Sequence, residues 1–65
     1  MQIFVNGQPQ DVAEGLSVAA LLERLGLAGK YVAVEANLEL VPRQQHGQRH
    51  LAQGDRLEIV TLVGG

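Results

Sequence analysis

The chain has 65 residues, of which 46% are hydrophobic and only 3% aromatic, and its formal charge at pH 7 is -2. It contains no cysteine, which excludes disulfide staples, thiolate metal ligands and a cysteine nucleophile. Its five basic residues, Arg24, Lys30, Arg43, Arg49 and Arg56, are spread along the sequence, so it has no cluster for phosphate binding and nucleic acid is not an expected partner. No apolar run approaches the roughly 18 residues of a membrane span. The start MQIFVNG lacks the basic and long apolar regions of a signal peptide. One small cytoplasmic domain without a membrane partner is expected. A chain this short buries only roughly 60% of the surface it exposes when unfolded, so aliphatic packing has to be efficient.

Residues Gln2 to Asn6 alternate, with Ile3 and Val5 on one side and Gln2, Phe4 and Asn6 on the other. That is the period of a strand. Asn6-Gly7 is a hairpin signal because both residues tolerate the positive φ of a type I′ turn. Pro9 to Val12 returns as a second strand, with Pro9 at its start, where a missing N–H does least harm. Ser17 is placed to cap a helix. Val18, Leu21, Leu22 and Leu25 then form one apolar stripe along it. Gly26 falls where a left-handed C-cap is needed, and Leu27 can fold back onto the last turn.

YVAVEAN predicts a third strand and LELVP a short fourth one that Pro42 ends. Arg43 to Gln53 shows no clear period and predicts irregular structure or a short helical turn. Gly54-Asp55 is a turn signal before RLEIVTL, a last strand with Leu57, Ile59 and Thr61 on one face and Val60 and Leu62 on the other. Two strands, a helix and further strands predict an α+β, β-grasp architecture: a mixed sheet of four to five strands with one main helix packed across it. A single helix covers one face of such a sheet and leaves the other in solvent.

Catalytic constellations are hard to assemble from these residues. Ser17 is the only serine, and capping accounts for it. His46 and His50 have a spacing that presents two metal ligands on one helical face, but Gly47 weakens a helix there and no further ligand stands nearby. Glu35, Glu39 and Glu58 alternate with apolar neighbours, as on a solvated face. The glycines match no phosphate-binding loop. Phe4, Val60 and Leu62 lie out of phase with the core positions of the first and last strands. As neighbours in a β-grasp sheet, those strands would bring the three into one exposed apolar patch for partner docking, against the alternative of scattered surface hydrophobes.

The sequence closes on TLVGG. Glycine has no Cβ, so Gly64-Gly65 enters a channel too narrow for a side chain. Residues 63–65 extended past Leu62 reach roughly 10 Å. A division into a β-grasp domain, residues 1–62, and a flexible tail of Val63, Gly64 and Gly65 is therefore expected. The tail would deliver the Gly65 carboxylate to a partner's active site, where an acyl-adenylate makes it reactive. An ordinary frayed end is the alternative.

The combination of MQIFVNG, LSVAALLERLGL, VAVEAN, VPR and the closing GDRLEIVTLVGG resembles the ThiS sulfur carrier family of thiamin biosynthesis over essentially the whole chain. That family commonly has Asn-Gly where this chain has Asn37-Leu38, a departure that bears on a turn and not on the tail. The resemblance implies a ubiquitin-like β-grasp fold and a carrier that is not itself an enzyme. It further implies that a ThiF-type adenylating enzyme uses ATP to activate Gly65, with no cofactor bound by this chain. A relay from cysteine through a desulfurase persulfide then converts Gly65 to a thiocarboxylate, and thiazole synthase consumes the sulfur. By the same analogy the patch of Phe4, Val60 and Leu62 docks on these partners. The rival readings are a carrier for molybdopterin synthesis or tRNA thiolation, whose members are usually longer, and a β-grasp binding module with an inert tail.

Overall fold

A computed structural model describes residues 1–62. The elements follow in the order β1 (Gln2–Val5), β2 (Gln8–Asp11), α1 (Val18–Arg24), β3 (Val32–Ala36), β4 (Glu39–Leu40), a 3-10 turn (Arg43–Gln45) and β5 (Arg56–Thr61). The five strands form one sheet in the order β2-β1-β5-β3-β4. β1 and β5 run parallel at its centre, and the other neighbours are antiparallel. This is the β-grasp arrangement expected from the sequence, with the first and last strands adjacent.

The β1–β2 hairpin closes through Asn6 and Gly7, whose φ angles of 50° and 82° are those of a type I′ turn. β3 and β4 are joined in the same way through Asn37 and Leu38, at 53° and 71°. The departure from Asn-Gly has therefore left the turn type intact and put a leucine into the left-handed region. The turn takes Asn37 from the end of the predicted third strand and Leu38 from the start of the predicted LELVP, and β4 stops at Leu40, before Val41 and Pro42. Val41, just beyond β4, is buried and its N–H donates to the Val34 carbonyl at 2.8 Å.

Helix α1 begins as the sequence predicts. The Ala20 N–H donates to the Ser17 hydroxyl oxygen at 3.1 Å. The helix closes in a Schellman arrangement: the Gly26 N–H donates to the Glu23 carbonyl and the Leu27 N–H to the Leu22 carbonyl, with Gly26 at φ 76°. Leu27 is thereby folded back against the core. Residues 43–50, which lack periodicity, serve the helix through their main chain. The Arg49 carbonyl accepts from Val18 N–H and the His46 carbonyl from Ala19 N–H, both at 2.9 Å. Two donors that a helix start leaves without partners are thus satisfied from a distant segment.

The core lies between α1 and one face of the sheet. Ile3 and Val5, Val34 and Ala36, and Leu57 and Ile59 come from the sheet; Val18, Leu21 and Leu22 come from the helix. Val12, Val41 and Leu51 in the connections close its margins. Each large aliphatic side chain buried there contributes about 1.5–3 kcal/mol relative to exposure.

Candidate functional site

The opposite face of the sheet is open. Strand register lays out its rows: Pro9, Phe4 and Arg56 stand side by side, then Glu58, Glu35 and Leu40, then Val60 and Ala33. Phe4 is half-buried, and the Arg56 guanidinium lies 4.6 Å from its ring centroid. A cation over an aromatic face at this distance is attracted by the ring quadrupole, so the two cover one another.

Val60 is 56% exposed on this face. Phe4 is in register with Arg56, four positions before Val60, which puts the two apolar side chains roughly 13 Å apart at strand spacing. The row of Glu58 and Glu35 lies between them. The register therefore does not bring Phe4 and Val60 into one apolar patch, because the strands are adjacent but β1 ends before β5 reaches Val60. Glu35 and Glu58 are exposed on the solvent face, as their alternation predicts; Glu39 is exposed on the edge strand.

β5 ends at Thr61, one residue short of the predicted strand, and the Leu62 N–H donates to the Tyr31 carbonyl at 2.8 Å. Leu62 is 52% exposed. It borders a cavity of about 480 Å³ on the helix side of the sheet, together with Leu22, Leu27, Tyr31, Arg43 and His46. The root of the C-terminal segment thus sits at the junction of two surfaces, the open sheet face carrying Val60 and this helix-side cavity. Val63, Gly64 and Gly65, the tail residues, lie outside the described residues.

His46 and His50 each have a main-chain partner. His46 is buried, and its Nε2–H donates to the Val41 carbonyl at 3.1 Å. His50 is exposed, and its Nδ1–H donates to the Gly15 carbonyl at 2.8 Å. Because a carbonyl only accepts, these bonds fix which ring nitrogen carries the proton in the neutral form. Among the described residues no three His, Cys, Asp or Glu side chains gather as a metal site, and no helix is long and apolar enough to cross a membrane.

The site contributions that sequence reasoning missed are Tyr31, Arg43 and the cavity beside Leu62. Tyr31 reads as the start of a strand and Arg43 as part of an aperiodic segment, so neither carries a periodic signal. Their meeting, with the Arg43 guanidinium 5.5 Å from the Tyr31 ring centroid, is a product of the tertiary fold.

A single-helix β-grasp domain, with its last strand running centrally through the sheet and out toward a glycine pair, defines the class of small ubiquitin-like proteins. The sequence model of the ThiS family matches residues 3–65, and the chain belongs to that family. It is similar over its full length to the sulfur carrier protein ThiS of Escherichia coli, at 34% identity and covering 98% of that protein. It is also similar to a thiazole synthase of Paramagnetospirillum magneticum, at 42% identity over 65 residues. There the chain spans only about a fifth of the relative's length, 20%, as it does for a thiazole synthase of Magnetococcus marinus. Among solved structures, the crystal structure of the thiamine biosynthesis protein (ThiS) from Geobacter metallireducens superposes with a TM-score of 0.86 at 38% identity. That match covers 100% of this chain and 99% of the other.

Proposed function

We propose that this chain is a sulfur carrier of thiamin biosynthesis whose working group is the C-terminal carboxylate of Gly65. A ThiF-type partner uses ATP to convert that carboxylate to an acyl-adenylate. The terminal sulfur of a persulfide, drawn from cysteine by a desulfurase, displaces AMP to form an acyl disulfide. A partner thiol then cleaves its S–S bond, leaving the thiocarboxylate and a disulfide. Thiazole synthase then takes the sulfur into the thiazole ring. The carrier acts as a co-substrate: it binds no cofactor of its own, and the ATP belongs to the partner.

The observation that carries this reading is the ThiS family match running from residue 3 through Gly65, so that it takes in the glycine pair. Two further points support it. The sulfur carrier relatives align over nearly their whole length. A sequence similar to this one over all 65 residues also forms part of proteins named thiazole synthase, which supports thiazole synthase as the partner in this reading. In this proposal Val60 and Leu62 dock on the partners from either side of the tail root, with Gly64 and Val63 threading toward the active site. Phe4, screened by Arg56, contributes at the far end of the open face.

Mass spectrometry after incubation with the adenylating enzyme, ATP and a sulfur source tests the proposal. A sulfur-for-oxygen exchange localised to Gly65 is the expected result, and an unmodified chain with competent partners would overturn it. Co-purification with thiazole synthase, and not with a molybdopterin synthase subunit, separates this carrier from its relatives.

A further inference from the structure

The helix-side cavity beside Leu62 is unaccounted for by the open-face docking just described. Its lining includes buried Leu22 and half-buried Ala19 and Val32, and its volume of about 480 Å³ is in the range that accepts a large side chain or a small ligand. Its exposed lining side chains include Lys30, Tyr31, Arg43 and Glu23. Tyr31 is 60% exposed, an unusual allowance for one of only two Phe, Tyr or Trp residues in the chain. The Arg43 guanidinium lies 5.5 Å from its ring centroid, which holds the cation at the mouth. Against Lys30 and Arg43, Glu23 is the only carboxylate lining the cavity among the described residues. The mouth therefore favours an acidic visitor.

Position then selects the visitor. Gly65 lies three residues beyond Leu62, so it is at most roughly 10 Å along the chain from it. Any protein whose active site takes Gly65 has to bring the rim of that site within this radius of Leu62. Leu62 is itself tied by its N–H to Tyr31 and borders the cavity. A partner there meets Tyr31, Arg43 and Lys30 well before it reaches Phe4.

We propose that the adenylating partner seats an apolar side chain in this cavity and sets a carboxylate against Lys30 and Arg43, so that its contact wraps from Val60 round the root of the tail to the helix side. This rests on the carrier reading given above. Apolar insertion supplies affinity, and the cations supply orientation and rate of encounter.

The test is binding of the full chain to the adenylating enzyme of the same organism by titration calorimetry at low and moderate salt, with modification of Gly65 followed separately. K30E combined with R43E is expected to weaken binding about tenfold and to flatten its salt dependence. Tyr31→Ala is expected to weaken it at every salt concentration. Thermal melts of each variant establish that the fold is kept, which is expected because all three side chains are exposed. Wild-type binding and modification reproduced unchanged by these variants would overturn the docking inference and leave the carrier reading standing. A wild-type chain that neither binds nor is modified would overturn both.

Discussion

The carboxamide of Asn6 exchanges two hydrogen bonds with the main chain of Ile59: the Ile59 N–H donates to Oδ1 at 2.8 Å, and Nδ2 donates to the Ile59 carbonyl at 3.1 Å. β1 ends at Val5, one residue before Asn6, while β5 continues to Thr61. The side chain thus stands in for the next stretch of strand and satisfies two central-strand groups that would otherwise face no partner. Asn6 is at once the first central residue of a type I′ turn and a false extension of β1.

Asn6→Gly separates those two roles. Glycine accepts the φ of 50° without strain, so the turn survives and only the two hydrogen bonds are lost. A loss of about 1–3 kcal/mol in urea unfolding is expected, since a part-buried donor and acceptor are left unsatisfied. Stability equal to wild type would mean that water replaces the carboxamide at no cost.

Asn37 repeats the device at the other hairpin. Its Oδ1 accepts from the Arg56 N–H and its Nδ2 donates to the Asp55 carboxylate, both at 3.0 Å. These bonds hold the turn in which Leu38, 90% exposed, takes a φ of 71°. A left-handed residue with a Cβ costs about 1–2 kcal/mol, and Leu38 touches too little to offset it. Leu38→Gly is therefore expected to stabilise the domain by about 1 kcal/mol, raising Tm by about 4–8 °C for a chain of this size. A lower Tm would show that the leucine makes a contact worth more than its strain.

How far the fold could be read from the sequence follows from the same residues. Asn6-Gly7, the stripe of Val18, Leu21, Leu22 and Leu25, and the Gly26 cap were legible because each is a local rule obeyed by local residues. The β3–β4 turn was harder, because leucine in a left-handed position contradicts propensity and is held there by Asn37 hydrogen bonds to residues about 18 positions away. Residues 43–50 were illegible for another reason. They cap α1 with the carbonyls of His46 and Arg49, and a carbonyl carries no side-chain signature. For the candidate site, the exposure of Val60 on the open face follows from phase, whereas phase also put Leu62 on that face and the structure sets it beyond β5, beside the helix-side cavity. The separation of Phe4 from Val60 required the parallel register of β1 and β5, which alternation does not specify.

His46 shows what that illegible segment contributes. The residue is 8% exposed, and its ring donates to the Val41 carbonyl, holding in place the loop whose carbonyls cap the helix. His46→Ala removes the bond and leaves space beside Val41, with an expected cost of about 2 kcal/mol. His46→Gln keeps a donor of similar reach and is expected to recover part of that loss. Equal destabilisation by both variants would assign the effect to packing and not to the hydrogen bond.

Truncation at the tail separates fold from function. The buried residue nearest the C-terminus among those described is Ile59; Val60, Thr61 and Leu62 are all exposed. Gly65 lies six residues beyond Ile59, so deleting it takes away no residue of the described core, and the melting curve is expected to superpose on that of the wild type. Sulfur-for-oxygen exchange is expected to vanish, because the carboxylate is withdrawn by one residue from the position the adenylating site reaches. Gly64→Val is the more discriminating change. It keeps the length and the carboxylate but adds a β-branched side chain one residue before the reacting carbon, where a narrow channel has no room for it. Unchanged stability with sharply reduced adenylation, measured by pyrophosphate release, is the expected outcome. Full adenylation of this variant would mean that the glycine pair is not selected by a narrow channel.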